Sequence, residues 1–380
     1  MQEIYFDNAA TTRVDDAVIA QMVDVMKNEY GNPSSLHTRG AAAEQRLERA
    51  RRQVLTALGA KEGRLLFTSG GTESNNLALF GASGALRRRG NRIVTTAMEH
   101  SSVIASCREL ERRGFEVIFV SPGTDGRIDP AAFLEVCNEN TILASMMLVN
   151  NELGTVQPIA ELARGLRRKS PNALLHCDAV QAFGKIPFSV AQLGIDLMSV
   201  SGHKIHAPKG IGALYLAAGA RILPILFGGE QQYRLRPGTE SVPLAAALGV
   251  AAYEAQSELS ANAERVRAVR ARLVARLSAI EGICFHSPLE GEFSPYLLDF
   301  SVPGYRSETM LHFLAARSIF VSSGSACSKG AQSHVLAAMG KSPREIDSAL
   351  RLSLCKYNVP EQADAFAEAL LIAMQEIKRT

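Results

Sequence analysis

Short apolar runs alternate along the chain with longer stretches whose apolar residues recur every three or four positions. The short runs predict strands at 64–68, 92–96, 115–120, 141–149, 173–177, 195–200 and 211–216. The longer stretches predict helices at about 72–89, 101–113, 130–138 and 158–169. The third of these opens on Asp129-Pro130, an N-cap followed by a proline at the first helical position. Strands as uniformly apolar as 141–149 are expected to be buried on both faces. Alternation at this spacing predicts an α/β fold, a mostly parallel sheet with helices on both sides.

The rhythm changes near residue 240. A long Ala- and Arg-rich helical stretch at 243–279 leads into short strands near 283–286, 296–302, 318–322 and 349–354, with helices near 307–316 and 361–378. This predicts a smaller α+β domain on a connecting helix. A chain of 380 residues has room for two domains. The large one is assigned to 13–250, and the small one to 1–12 with 251–380. Segments 29–40, 227–241 and 322–334 read as irregular, rich in Gly with Ser or Gln; loops that long tend to carry function.

Composition narrows the function. With 41 Lys+Arg against 38 Asp+Glu, the net charge of +3 gives no dominant field for nucleic acid or acidic lipid. The arginine clusters at 87–89 and 167–168 read as solvated helix faces. The six cysteines include no C-x-x-C pair and fit no zinc framework, so no metal is expected and a reducing compartment is. No run approaches 18 apolar residues, and the first residues lack a signal-peptide pattern. The expectation is a cytoplasmic enzyme.

Six segments carry candidate chemistry. Thr68-Ser69-Gly70-Gly71-Thr72-Glu73-Ser74 places two glycines and a hydroxyl where a strand turns into a helix, which can hold a small phosphate; taken alone it reads first as an ordinary glycine turn with Thr72 as N-cap. No Walker or G-x-G-x-x-G pattern is present. Ser201-Gly202-His203-Lys204 follows the strand at 195–200 in a chain with only ten lysines against 31 arginines. A lysine desolvated there can form a Schiff base, with Ser201 and His203 beside it to hold a phosphate, or it can snorkel outward. Asp178, with Gln181 three residues on, and His100 after Glu99 also stand at predicted strand ends. Cys327 lies among small residues in Ser322-Ser323-Gly324-Ser325-Ala326-Cys327-Ser328-Lys329, the setting of an accessible thiol whose pKa Lys329 can lower. In Leu350-Arg351-Leu352 the alternation puts Arg351 opposite its neighbours, as a carboxylate fork or a solvent-facing residue.

Together with Tyr5-Phe6-Asp7-Asn8-Ala9-Ala10-Thr11-Thr12, Gly31-Asn32-Pro33-Ser34-Ser35-Leu36-His37, Asn150-Asn151-Glu152-Leu153-Gly154 and Arg236-Pro237-Gly238-Thr239-Glu240, these motifs span the chain in a fixed order. The chain resembles the cysteine desulfurases of the class-V aminotransferase family, pyridoxal 5'-phosphate (PLP) enzymes of fold type I. The resemblance implies that Lys204 carries PLP and moves protons at the substrate. It implies Asp178 on the pyridine nitrogen, Gln181 on the phenolic oxygen and His100 over the ring. Gly71, Thr72, Ser201 and His203 would cradle the phosphate, with Thr239 reaching it from the second subunit of a homodimer. Asn151 and Arg351 would hold the substrate carboxylate, and Cys327 would accept sulfur from L-cysteine.

The cysteine context resembles the branch that passes persulfide to acceptor proteins for iron–sulfur cluster assembly or tRNA thiolation. No nucleic acid or membrane partner is implied. The chain departs from the family at His206-Ala207, where Tyr-Gly is usual, and at Cys355, where Gly is usual. A selenocysteine lyase, another PLP-dependent β-lyase and a non-enzymatic scaffold are the competing readings.

Overall fold

The alternation of apolar residues in the predicted strands sorts them onto the two faces of one sheet. The computed structural model describes residues 3–323 and 332–379. It begins with β1 (Ile4–Tyr5) and continues through the sheet strands β2 (Arg64–Thr68), β3 (Arg92–Thr96), β4 (Glu116–Val120), β5 (Thr141–Ser145), β6 (Leu174–Asp178), β7 (Leu197–Ser201) and β8 (Gly212–Leu216). These seven lie in the order β2-β8-β7-β6-β5-β3-β4. β8 is antiparallel to both β7 and β2, so six of the seven strands point the same way and end at the same edge. Leu65 and Phe67 enter one core and Leu66 the other, the period-2 split of a strand covered on both faces.

The helix Gly71–Leu86 packs on one face beside Ser101–Arg112, while Val54, Leu162 and Leu166 line the core on the other. Ile159–Lys169 shows why such helices form. Ile159, Leu162, Ala163 and Leu166 are buried at i, i+3, i+4 and i+7, and Arg167, Arg168 and Lys169 stand in the last turn, where the helix dipole favours cations. The Asp129 side chain caps Pro130–Glu135, accepting from the Ala131 N–H at 2.9 Å.

A separate apolar cluster fills the second part of the molecule. β9 (Cys284–Phe285), β10 (Leu297–Ser301) and β12 (Ala349–Ser353) form an antiparallel sheet, and β11 (Ile319–Phe320) pairs in parallel with β1. Leu350 and Leu352 point into this cluster with Phe6, Phe300 and Phe366. Phe366 meets Phe6 and Phe300 edge-on at 6.1 and 6.4 Å. The N-terminal segment therefore packs with the last third of the chain.

Three expectations change. The stretch 243–279 is two helices, Val242–Ser257 and Leu259–Ser278, broken at Glu258. The run 141–149 leaves the ladder after Ser145, although the Leu148 N–H still bonds Asp178 O at 2.9 Å. The irregular segment 29–40 ends early, because the helix Thr38–Ala57 starts inside it with His37 as its cap.

Candidate active site

Because six strands share a direction, the turns that follow β2, β3, β6 and β7 open at one edge. They surround a cavity of about 340 Å³, within the range of small-molecule and cofactor sites. Gly71, Thr72, His100, Asn151, Asp178, Gln181, Ser201, His203, Lys204 and Arg351 all line it. Thr239 does not: it stands exposed on the segment before Val242–Ser257. Cys327 and Lys329 lie outside the described residues.

After β2 the chain makes its turn at Gly70, with φ 154 and ψ −176, a conformation open only to glycine. A Cβ on Gly212 would sit 2.7 Å from Gly70 Cα, so β8 also needs glycine there. Thr72 lies inside the first turn of Gly71–Leu86, and the N-cap is Gly70; the Thr72 N-cap reading is corrected. The helix N-terminus has no side-chain cap, and the buried Ser201 hydroxyl beside it has no hydrogen-bond partner. This suits an anion held by backbone N–H groups and a hydroxyl. His203 is pushed down to about 4 by burial and by the positive charge of Lys204, so it meets an anion as a neutral ring unless the anion itself raises it.

At the end of β6, Asp178 is buried, with both oxygens occupied. Oδ1 accepts from the Val180 N–H at 3.0 Å, and Oδ2 accepts from Asn75 Nδ2 at 2.7 Å. Behind it the His176 ring bridges the Ser145 and Ser199 hydroxyls at 2.9 Å on each side, tying β5, β6 and β7 together. Burial lowers His176 to about 4, so it holds that position as a neutral ring. His100 caps Ser101–Arg112, its Nδ1 accepting from the Ser102 N–H at 3.2 Å, which places the neutral ring's proton on Nε2.

Lys204 Nζ donates to the Ala9 carbonyl and, at 2.7 Å, to that of Ala10. It is half-buried and faces the cavity, which corrects the outward-snorkelling alternative. The N-terminal segment thus closes over the lysine, and Gln181 Nε2 donates to the same Ala9 carbonyl at 3.0 Å. Arg351 is buried, not solvent-facing. Its Nη1 donates to Asn151 O at 3.1 Å and its Nη2 to Asp7 Oδ1 at 3.2 Å, while the buried Nε has no partner. Such a fork, with one N–H group still to satisfy, suits a carboxylate ligand.

Both flanks of 324–331 are fastened to this cleft. Ser322 exchanges backbone hydrogen bonds with Arg351 at 3.1 and 2.7 Å; Ser333 Oγ donates to Glu152, and His334 Nε2 meets Glu99 O at 2.9 Å. Segment 227–241 is tied to the glycine turn by Arg236 Nε, which donates to Glu73 Oε1 at 2.9 Å.

Sequence reasoning missed Asn75, which holds Asp178, and the backbone carbonyls of Ala9 and Ala10. Asn75 stands one turn after Thr72, so helical spacing carried a signal that it faces the same cleft. Among the described residues no group of His, Cys, Asp or Glu is placed to hold a metal ion, and no helix is long and apolar enough to cross a membrane.

A lysine past one parallel strand, a carboxylate at the end of its neighbour and an anion cradle at a helix N-terminus define a PLP-dependent enzyme of fold type I. The chain belongs to the class-V aminotransferase family, whose model matches residues 4–366. It is 41% identical over 370 residues to cysteine desulfurase 2 of Trichormus variabilis, covering 96% of this chain and 91% of that one. It is 38% identical over 380 residues to cysteine desulfurase IscS of Methanosarcina thermophila, covering 99% and 93%. A solved NifS-like protein superposes with a TM-score of 0.94 at 37% identity, over 99% of this chain and 100% of that one. Membership of this family implies PLP as the cofactor.

Proposed function

We propose that the chain converts L-cysteine to L-alanine as a PLP-dependent cysteine desulfurase and passes the sulfur, as a Cys327 persulfide, to acceptor proteins. The observation that carries this reading is the convergence of Lys204, Asp178, His100 and Arg351 on one cavity, with the two flanks of the cysteine segment fastened to its rim. Full-length relatives that are cysteine desulfurases support it.

The cavity's chemistry fits PLP. The partnerless Ser201 hydroxyl and the uncapped helix at Gly71 and Thr72 suit its phosphate, with His203 beside them, and the buried Asp178 suits its ring nitrogen. Gln181 would donate to its phenolic oxygen, and His100 would lie over its ring. Bound there, PLP supplies the electron sink for the pair released at the substrate Cα.

The protein's own groups do the rest. Arg351 and Asn151 hold the substrate carboxylate, which fixes the Cα–H bond relative to Lys204. Lys204 Nζ removes that proton and returns protons to the carbon skeleton. The Cys327 thiolate attacks the substrate sulfur: an S–S bond forms, the Cβ–S bond breaks, and its electron pair stays with carbon, which is protonated to alanine. The persulfide then leaves for an acceptor in iron–sulfur cluster assembly or tRNA thiolation. Residues 13–250 form the cofactor domain in this reading, and 1–12 with 251–380 form the domain that carries Cys327. Thr239, which does not line its own chain's cavity, would complete the phosphate site of a second copy in a homodimer. A cytoplasmic setting belongs to the same proposal.

The test is alanine formed from L-cysteine by PLP-loaded protein in the presence of a thiol reductant. Wild type is expected to form alanine and persulfide, Lys204→Ala neither, and Cys327→Ala little of either. Full alanine release by Cys327→Ala would instead point to a selenocysteine-lyase type of chemistry, and sulfide with pyruvate in place of alanine would point to a β-eliminating lyase.

A further inference from the structure

Lys185 is a lysine buried to 6% exposure, and the mechanism above leaves it without a task. Its Nζ donates to Gln181 Oε1 at 2.9 Å, four residues back along the chain. With Lys204 and Cys355 it lines a second cavity of about 30 Å³, room for a water molecule or two. The Tyr296 ring lies 6.0 Å from the amine. Burying an amine costs several kcal/mol unless its hydrogen bonds matter, and a methionine would fill the same space without that cost.

The hydrogen bonds around Gln181 give the reason. A lysine ammonium only donates and a backbone carbonyl only accepts. Lys185 therefore takes the amide's oxygen, while Ala9 O takes its nitrogen at 3.0 Å. The amide is held from both ends in one of its two orientations. We propose that Lys185 is a positioning residue that locks the Gln181 amide, so that Gln181 presents an N–H donor, never its carbonyl, to the phenolic oxygen of PLP. This rests on the assignment of Gln181 to that oxygen. Burial and the neighbouring Lys204 bring Lys185 down to about 7, with the Cys355 thiol opposing. Charged or neutral, the amine keeps N–H groups to donate.

The experiment uses the full-length PLP-loaded protein and reads two quantities besides activity: the PLP dissociation constant and the pH titration of the cofactor's visible absorption. A donor on the phenolic oxygen withdraws electrons from the conjugated nitrogen, so its loss raises the titration midpoint. For one hydrogen bond, Lys185→Met is expected to raise the midpoint by about one pH unit and weaken PLP about 5- to 10-fold. Lys185→Gln, a neutral side chain that can still donate, is expected to recover most of both. Gln181→Ala should shift the midpoint similarly, and adding Lys185→Met to it should shift it no further.

If Gln181→Ala shifts the titration but Lys185→Met does not, Lys185 has no positioning role and the assignment of Gln181 survives. If Gln181→Ala shifts nothing, that assignment falls, and the role of Lys185 falls with it. A Lys185→Gln protein that behaves like Lys185→Met would overturn the proposal in favour of a through-space charge effect. Should Lys185→Met not fold, Lys185→Leu serves instead; it likewise offers no donor to the Gln181 oxygen.

Discussion

Asn75 and Asp178, 103 residues apart in sequence, meet through a 2.7 Å hydrogen bond from Asn75 Nδ2 to Asp178 Oδ2. Asn75 Nδ2 also reaches Ser102 Oγ at 2.9 Å, so one amide joins the helix after β2, the helix after β3 and the end of β6. Asn75→Leu keeps the volume and strips a buried carboxylate oxygen of its donor. A hydrogen bond to a charged group is worth about 1.5–3 kcal/mol, so PLP affinity is expected to fall roughly 10- to 100-fold. Titration of the apoprotein with PLP, followed by absorbance, measures this. Circular dichroism is expected to show an unchanged fold.

Gly71 has no side chain for a spatial reason. A Cβ there would lie 2.8 Å from Val180 Cγ2, and the short, branched valine cannot swing aside. Gly71→Ala is expected to displace the anion cradle and weaken PLP about tenfold, with the far-UV spectrum retained. An additional Val180→Ala change removes the methyl and is expected to recover much of the loss.

Arg351 makes two bonds through its terminal nitrogens, and its buried Nε has no partner. Arg351→Lys keeps the charge but loses the fork. The expected result is a KM for L-cysteine raised about tenfold or more, with PLP binding unchanged. Steady-state alanine production over a range of L-cysteine concentrations separates KM from kcat.

Glu99 is fully buried. Its Oε1 accepts from Thr96 Oγ1 at 2.7 Å and from the Met147 N–H at 2.9 Å, while Oε2 has no partner. Burial is the main cause that pushes it from an ordinary 4.5 up to about 8, and Asp178 adds to it. Between those two values the native state holds a proton that the unfolded chain releases. This group therefore costs stability as pH rises from 4.5 to about 8, by at most about 1.4 kcal/mol per pH unit. Glu99→Gln removes that dependence. Urea unfolding of the apoprotein is expected to favour the variant over wild type by more at pH 8 than at pH 5.

Much of the site was readable because its residues follow strands whose apolar runs are unmistakable. Lys204, Asp178 and His100 fall at one edge because 92–96, 173–177 and 195–200 are parallel strands that end there. Arg351 could be turned away from Leu350 and Leu352 by alternation alone, but its burial could not be foreseen. That burial depends on Asp7 and Asn151, which arrive from distant parts of the chain. The helix Thr38–Ala57 gives only a weak periodic signal, because its buried face is largely Gly40, Ala43, Ala50 and Ala57, which offer little apolar contrast.

The sequence by itself determined the strands, the helices with clear caps and the residue types capable of the chemistry, because each follows from local periodicity and backbone preference. Only the tertiary structure decided which groups act on one another. The reversal of β8, the closure of Ala9 and Ala10 over Lys204, and the grip of Asn75 on Asp178 and of Lys185 on Gln181 depend on packing. In each, a buried donor must find an acceptor, and which acceptor it meets is set by how the layers stack, a relation that no local pattern in the chain encodes.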